Sequence, residues 1–396
     1  MEHFITKIHI NSLRHLENID IPLSEEACRH LLLTGKNGSG KTSLLEALKQ
    51  NLSAINNNCW NGYKNYISNP QNYDSKIHKD AYSRYESGVD ISFNAEEDLD
   101  KIFAQGEFVT AYFPANRNSN ISLAHGVENV ILAANYSIDY KDDPTKNLVK
   151  YMVDLKTQQA YARQENDMPA VEQIQEWFDR FEKSLRALLE DDTIRLEYDY
   201  RNYNFLIHQT GRLPFGFNEL SDGYSSVIQI TSSLMLRMER NWLKNRQNIS
   251  TYNLEGVALI DELETHLHIE LQRKILPFLT EIFPRIQFIL STHSPYILTS
   301  VPNATIFDLE KKVLFEDMSG YSIDNVAEAY FDSEDYSLRL EAQLKEYRSL
   351  LTIRNPTDEE RSRRAELRTL LKNVNGTLAA RIRNEFDDLE AQRRNG

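Results

Sequence analysis

The stretch from Leu31 to Lys49, LLLTGKNGSGKTSLLEALK, constrains the fold more strongly than any other part of this 396-residue chain. An apolar run, Leu31 to Leu33, gives way to a glycine-rich loop, and apolar residues then recur with helical spacing from Ser43 onward. The loop fits the pattern GxxxxGK[ST], which requires a strand before it and a helix after it. The stretch therefore predicts a strand, a phosphate-binding loop and a helix in direct succession.

The residue types of this loop suit a phosphate group. Glycine lets backbone N–H groups approach and surround a phosphate, and the start of the following helix adds a partial positive charge. We expect Lys41 to reach the β and γ phosphates of a nucleotide and the Thr42 hydroxyl to bind Mg²⁺. An ordinary glycine-rich turn is the alternative for this motif taken alone. The predicted nucleotide-binding residues are Gly35, Lys36, Asn37, Gly38, Ser39, Gly40, Lys41, Thr42 and Ser43.

A second apolar run, in GVALIDELETHLH, delivers Asp261 and Glu262 at its end. The run predicts a buried strand, and open α/β sheets bind ligands at the carboxyl ends of their strands. We expect Asp261 to hold Mg²⁺ directly or through water, and Glu262 to orient or deprotonate the attacking water. A helix cap is the alternative interpretation of the two acids.

Two further segments complete the set of candidate residues. The apolar run QFIL precedes His293, whose neutral imidazole could bind a γ phosphate or the water, although a structural role is the alternative. ELSDGYSSVIQI, Glu219 to Ile230, opens a long amphipathic helix near Ser221. The free N–H groups of a helix start and a serine hydroxyl can bind phosphate, whereas the alternative is an N-cap serine without a ligand.

In chain order, the phosphate loop, the signature segment ELSDGYSSVIQI, the acidic strand with Asp261 and Glu262, and the His293 segment resemble the ATP-binding-cassette ATPases, specifically the branch that contains SMC, RecF and OLD-type proteins. DELETHLH and STHSP are similar to the DEPExHLH and THSP forms of that branch. The N-terminal FITKIHINSLRHLENIDIPL resembles its opening β-ribbon, with Arg14 at the position of a basic residue. The resemblance implies an α/β fold: an ABC-type P-loop ATPase core with an N-terminal antiparallel β-ribbon, an inserted helical segment and a C-terminal helical appendage.

The resemblance also implies roles for individual residues, with ATP and Mg²⁺ as cofactors. The implied catalytic residues are Lys41, Glu262 and His293, and the implied Mg²⁺ ligands are Thr42 and Asp261. In this branch the signature segment of one subunit faces the phosphate loop of another. We therefore expect a homodimer or higher oligomer in which a bound nucleotide is contacted in trans by Ser221, Asp222 and Gly223. The family's glutamine loop has no clear counterpart, and VTAYFPANR, which ends at Arg117, is the candidate region for it. Arg117 could reach a nucleotide or a partner, and a solvated loop arginine is the alternative.

The pattern along the chain predicts four parts. They are an ATPase N-terminal part (residues 1–140), a helical insertion (141–192), an ATPase C-terminal part (193–310) and a helical appendage (311–396). Apolar spacing predicts a helix from Met168 to Glu190, TIRLEYDY and NYNFLIHQ predict a hairpin, and NNNCWNGYKNYISNPQNY predicts an irregular surface loop. Apolar spacing predicts three helices in the appendage: the second begins with a Thr357–Glu360 capping box, and the third, after the Asn375-Gly376 break, carries Leu378, Ile382, Phe386 and Leu389. The appendage either completes the fold or docks a partner.

Charge and cysteine content limit the partners. The formal net charge is -14, so nucleic acid could be bound only through local patches or through a partner. The two cysteines, Cys28 and Cys59, offer neither a disulfide framework nor a zinc site. No signal peptide or membrane span is apparent, so we expect a cytoplasmic protein with no membrane partner.

Two functional hypotheses follow from the resemblance. A compact cassette ATPase without coiled-coil arms or a fused nuclease looks like the ATPase subunit of Septu-type antiphage systems, including retron-associated ones, or of PARIS-like systems. Such a protein would bind and slowly hydrolyse ATP and regulate a separate nuclease subunit of the HNH or TOPRIM class. The alternative is a RecF- or SMC-like repair ATPase that acts as an ATP-gated clamp on DNA.

Overall fold

The structure is a computed structural model that describes residues 2–69, 81–117, 121–130, 136–139, 143–245, 254–321, 326, 333–351, 353, 357–372 and 385–390. The chain forms two compact units, Met1–Met318 and Ser319–Gly396. Every described strand belongs to the first unit, and the described part of the second unit is mainly helical. No helix among the described residues is long and apolar enough to cross a membrane.

The strands run along the chain as follows: β1 (Ile5–Leu13), β2 (Leu16–Pro22), β3 (His30–Thr34), β4 (Val89–Phe93), β5 (Phe108–Phe113), β6 (Arg195–Asp199), β7 (Asn204–His208), β8 (Glu255–Ile260), β9 (Ile286–Ser291), β10 (Ala304–Asp308) and β11 (Val313–Phe315). The main α-helices among the described residues are α1 (Lys41–Asn56), α2 (Trp60–Ser68), α3 (Leu99–Gln105), α4 (Leu148–Gln164), α5 (Met168–Leu189), α6 (Asp222–Asn245), α7 (Ile269–Ile282), α8 (Pro295–Leu298), α9 (Ser333–Leu351) and α10 (Asp358–Lys372).

The core of the first unit is a six-stranded sheet with the order β11, β10, β3, β9, β8, β5. All neighbouring strands pair in parallel except β10 and β11. Every residue of the five parallel strands is buried, as expected where helices cover both faces and the sequence is a continuous apolar run. The predicted α/β fold with a parallel sheet is confirmed.

A smaller antiparallel sheet, with the order β2, β1, β4, forms the N-terminal ribbon. The strands β1 and β2 alternate buried and exposed residues, which is the pattern of a sheet with one solvated face. The tip of this ribbon lies against the phosphate loop, because a Cβ added to Gly40 would come 2.9 Å from Leu16 Cδ1. Gly40 also has a φ of 100°, so any larger residue there would meet both strain and a neighbour.

The range 141–192, which the sequence predicts to be a helical insertion, includes α4 and α5, and these two helices pack on each other. The helix α5 starts where the sequence predicts, and the Asp167 carboxylate accepts a hydrogen bond from the Ala170 N–H at 3.2 Å. The predicted hairpin is present as β6 and β7, which pair antiparallel.

The predicted irregular loop at residues 56–73 is wrong in its first part. Helix α2 occupies it, with Trp60 and Tyr63 buried in the core, and the Trp60 ring packs edge-on against Phe93 at 5.5 Å. The asparagine-rich composition hides an amphipathic helix whose apolar side is aromatic. Residues 70–73 lie outside the described residues.

The second unit has a small core of its own, formed by Leu344, Tyr347, Leu367, Leu371 and Phe386. Its helix α10 begins with the predicted capping box, in which Thr357 N–H donates to Glu360 Oε2 at 2.7 Å and Glu360 N–H donates to Thr357 Oγ1 at 3.3 Å. The predicted third helix falls largely outside the described residues, of which 385–390 are helical.

Candidate nucleotide-binding site

The sequence-predicted site residues meet at one edge of the parallel sheet. Parallel pairing aligns Leu33 with Ser291, Leu290 with Ile260, and Ile260 with Phe113, so four strands end side by side. The segments that follow them carry the phosphate loop, His293, the acidic pair and Arg117. Residues more than two hundred positions apart in sequence therefore share one edge, where open sheets of this kind hold ligands.

The phosphate loop has the backbone that its glycines predict. Gly35, Gly38 and Gly40 have φ values of 129°, 85° and 100°, in a region that L side chains rarely adopt. The Lys41 ammonium lies within the loop and donates hydrogen bonds to Gly35 O at 2.8 Å and to Lys36 O at 3.1 Å. Burial lowers the pKa of Lys41, while the nearby carboxylates of Glu262 and Asp261 oppose the shift.

The loop and the acidic strand are joined directly. Thr42 Oγ1 donates a hydrogen bond to Asp261 Oδ2 at 2.9 Å, and Ser291 Oγ donates to Asp261 Oδ1 at 2.5 Å. Asp261 is 3% exposed, and each of its carboxylate oxygens accepts a hydrogen bond from a hydroxyl. The adjoining Thr42 hydroxyl and Asp261 carboxylate offer oxygen ligands of the kind that Mg²⁺ prefers, so these two residues would hold the ion. No cluster of three His, Cys, Asp or Glu within the described residues could hold a metal by itself.

Glu262 lies in the loop after β8 and not at the start of a helix, and its backbone conformation is fixed there by hydrogen bonds. Its φ is 45°, and its N–H donates to Ser291 Oγ at 2.8 Å. The next helix, α7, begins only at Ile269, so the alternative interpretation of the acids as helix caps is wrong. The Glu262 carboxylate, half-buried, accepts a hydrogen bond from Thr265 Oγ1 at 3.3 Å.

His293 emerges beside this acidic loop. Its backbone N–H donates to Glu264 Oε1 at 2.5 Å, whereas its Nε2 atom is buried and has no hydrogen-bond partner among the described residues. Burial lowers the pKa of His293, and the Lys41 charge lowers it further against the opposing carboxylates. A neutral imidazole is therefore favoured near Lys41, in a form that can accept or donate one hydrogen bond.

The signature segment presents two of its three candidate residues to solvent. Ser221 and Asp222 are exposed at the start of α6, whereas Gly223 is buried. A Cβ added to Gly223 would come 2.6 Å from the His266 carbonyl oxygen, so the close approach of α6 to the acidic loop requires glycine. The contact of this segment with a nucleotide in trans stays a prediction.

Several residues that sequence reasoning missed complete the site. Ser291 supports both acids, and Glu264 holds the backbone of His293. Glu310, two residues after β10, accepts a hydrogen bond from Lys36 N–H at 3.2 Å and pairs with Lys36 Nζ at 3.2 Å. Arg117, a candidate for a solvated loop residue, is instead buried. Ser291 and Glu310 could have been located by their position at the end of a buried strand or within two residues of it.

Comparison with known proteins gives a family and a set of partial relatives. A family model described as "AAA domain, putative AbiEii toxin, Type IV TA system" matches residues 31–299. A "Septu protein PtuA" of Bacillus mycoides (strain KBAB4) is 26% identical over 334 residues, which cover 80% of this chain and 41% of that protein. A "Retron Ec83 probable ATPase" of Escherichia coli is 28% identical over 154 residues, 37% of this chain and 27% of that protein. The chain thus spans less than half the length of these relatives.

Solved structures are similar only at a low level. An SMC head bound to the C-winged helix domain of ScpA gives a TM-score of 0.42 at 10% identity, covering 78% of this chain and 96% of that one. Stu0660 of Streptococcus thermophilus gives a TM-score of 0.29 at 10% identity, covering 94% and 85%. Scores of this size support no functional argument.

Proposed function

The chain belongs to the AAA-domain family that matches residues 31–299, and on that premise we propose that it binds ATP with Mg²⁺ and hydrolyses it slowly. One observation carries the proposal. The Thr42 hydroxyl, beside the loop lysine, donates to the Asp261 carboxylate at 2.9 Å although the two residues are 219 positions apart. This contact joins the residue types that bind phosphate to those that bind Mg²⁺ and activate water.

The residues have separate tasks in this proposal. The loop N–H groups and Lys41 bind the phosphates, and Thr42 and Asp261 would hold the Mg²⁺. When bound, that ion neutralises charge on the phosphate oxygens. Glu262 accepts a proton from the attacking water or orients it, and His293 Nε2 is available to hydrogen-bond the γ phosphate.

We propose further that two copies share each nucleotide. The exposure of Ser221 and Asp222 at the start of a long helix supports this, since the free N–H groups there can reach a phosphate on another molecule. A dimer with shared sites would leave the monomer nearly inactive.

The cellular role that we propose is control of a separate nuclease in an antiphage system. The names of the relatives, a Septu protein and a retron ATPase, support this role. A nuclease of the HNH or TOPRIM class is the proposed partner, and it would supply the chemistry that cuts nucleic acid. ATP binding and release would then set whether that partner is active.

The test measures Mg²⁺-dependent phosphate release and nucleotide affinity in matched variants. Lys41→Ala should weaken ATP binding by about 10- to 100-fold, the value of a charge-assisted contact. Glu262→Gln should keep ATP binding and lower turnover by at least about 100-fold. Lys183→Ala and Glu172→Gln, which change exposed residues of α5, serve as matched controls.

Two results would contradict the proposal. Undiminished ATP affinity in Lys41→Ala would remove the lysine from the phosphate site, and undiminished turnover in Glu262→Gln would remove the glutamate. Electrophoretic binding to duplex DNA, with ATP present and at stated salt, would favour the clamp hypothesis over the regulator.

A further inference from the structure

Arg117 lies at the edge of the sheet where the candidate site is built. It follows β5, and because β5 pairs in parallel with β8, the segments after these two strands leave the sheet at the same edge. The Asp261 N–H donates to the Phe113 carbonyl at 2.8 Å, which continues this pairing one residue beyond β8. Arg117 is 5% exposed, so its guanidinium is turned inward.

The Arg117 guanidinium donates hydrogen bonds to the backbone carbonyls of Asp261 and Glu262. Arg117 Nη1 donates to Asp261 O at 2.6 Å, and Nη2 donates to Glu262 O at 3.0 Å. The planar fork of arginine makes this bidentate contact possible, whereas the single ammonium of lysine would reach only one carbonyl well. The buried Arg117 guanidinium thus binds the carbonyl groups of the two residues that follow β8 directly.

These bonds hold Glu262 in a backbone conformation that it would not adopt alone. A φ of 45° is uncommon for glutamate, and such residues persist where their surroundings fix them. The N–H of Glu262 is held by Ser291 Oγ and its carbonyl by Arg117 Nη2. Arg117 is therefore one of the two side chains that hold the Glu262 backbone in this conformation.

The same guanidinium also contacts the signature helix. Arg117 Nε donates to Ser226 Oγ at 2.8 Å, and Ser226, in the first turns of α6, is buried. The close approach of Gly223 to the His266 carbonyl makes a second contact between α6 and the acidic loop. The start of α6 and the segment from Asp261 to His266 are therefore joined at two points.

We propose that Arg117 is a positioning residue that fixes Glu262 for hydrolysis and links it to the signature helix of the same subunit. This inference rests on the proposed ATPase function. Its consequence is that a shift of α6, when a nucleotide contacts Ser221, is passed through Ser226 and Arg117 to Glu262.

The experiment is a double-mutant cycle on turnover at saturating Mg-ATP, with KM and the thermal unfolding midpoint measured for each variant. Arg117→Lys, which keeps the charge and loses the fork, should lower kcat by about 10- to 100-fold through misplacement of Glu262. KM should stay within about threefold, since the phosphate loop is unchanged. Ser226→Ala should lower kcat by about 2- to 10-fold at an unchanged unfolding midpoint.

The double variant separates a link from two independent effects. If Arg117 passes the position of α6 to Glu262, Arg117→Lys with Ser226→Ala should be no slower than Arg117→Lys alone. Strictly multiplicative losses would overturn the link. A loss of kcat under threefold, or a rise of KM in parallel, would overturn the positioning role. Arg212→Lys, at an exposed position after β7, is the matched control.

Two further outcomes are decisive. If Arg117→Lys fails to fold, Ser226→Ala decides alone: reduced kcat at the wild-type midpoint supports the proposal, and unchanged kcat refutes it. If the wild-type protein shows no turnover that Lys41→Ala removes, the proposed function fails and this inference fails with it. Failure of the ATPase function and failure of the Arg117 proposal are distinguishable, because wild type, Lys41→Ala and the Arg117 and Ser226 variants are measured in the same assay.

Discussion

The buried carboxyl of Glu239 gives the sharpest prediction about stability. It lies on α6 and is 4% exposed, and the side chains that face it are Arg180, Trp177 and Tyr151 of the helical insertion. Burial raises the pKa of Glu239 to about 7, and the Arg180 charge and the neighbouring polar atoms of Trp177 and Tyr151 only partly oppose the shift. The folded protein therefore prefers the protonated carboxyl.

The sign and size of the effect follow from linkage. The unfolded chain releases this proton near pH 4.5, the ordinary pKa of a glutamate, and the folded chain releases it near pH 7. Stability is therefore lost as the pH rises from about 4.5 through 7 and stays constant above that range. A shift of this size corresponds to about 3 kcal/mol, of which about 2–3 kcal/mol falls between pH 5 and pH 8.

Glu239→Gln keeps the shape of the side chain and removes the titration. We expect the free energy of unfolding of this variant, relative to wild type, to rise by about 2–3 kcal/mol between pH 5 and pH 8. Urea unfolding at several pH values, followed by tryptophan fluorescence, measures the difference. Exposed Glu172→Gln should show no such trend. A stability difference for Glu239→Gln that does not change with pH would refute the reasoning.

Two other predictions concern assembly and packing. Ser221→Arg and Lys41→Ala should each inactivate homodimers, but mixing equal amounts should restore turnover to about a quarter of the wild-type rate. About half of the dimers are then mixed, and one of the two sites in each mixed dimer is intact. No recovery on mixing would contradict shared sites. Trp60→Ala should lower the free energy of unfolding by about 3–5 kcal/mol, because the Trp60 ring is fully buried against Phe93. Urea unfolding measures this difference. A loss below about 1 kcal/mol would show that this packing is absent in solution.

Much of the sheet could be predicted because its signals are local. The phosphate-loop strand, the acidic strand and the strand before His293 are short apolar runs, and each lies within two residues of its predicted bounds. The helix from Met168 also follows from spacing and a capping aspartate. Such features are encoded by neighbouring residues, so one sequence is enough to find them.

The supporting contacts of the site could not be predicted because their partners are distant in sequence. Arg117 bonds to residues 109, 144 and 145 positions away, and its loop, ANR, has no pattern that distinguishes a buried guanidinium from a solvated one. Helix α2 was missed for a different reason: the apolar side of this helix is aromatic, and asparagines surround it. The roles of the predicted nucleotide-binding and catalytic residues stay predictions that the variants above can test.

The position of β3 within the sheet has a consequence for folding during synthesis. Its two neighbours, β9 and β10, come from residues 286–308, although β3 itself ends at Thr34. In a nascent chain, the strand before the phosphate loop therefore stays unpaired until nearly the whole first unit has left the ribosome. Contacts of such wide sequence separation also form slowly. The proposed nucleotide site is therefore complete only late in synthesis, once β9 and β10 have paired with β3.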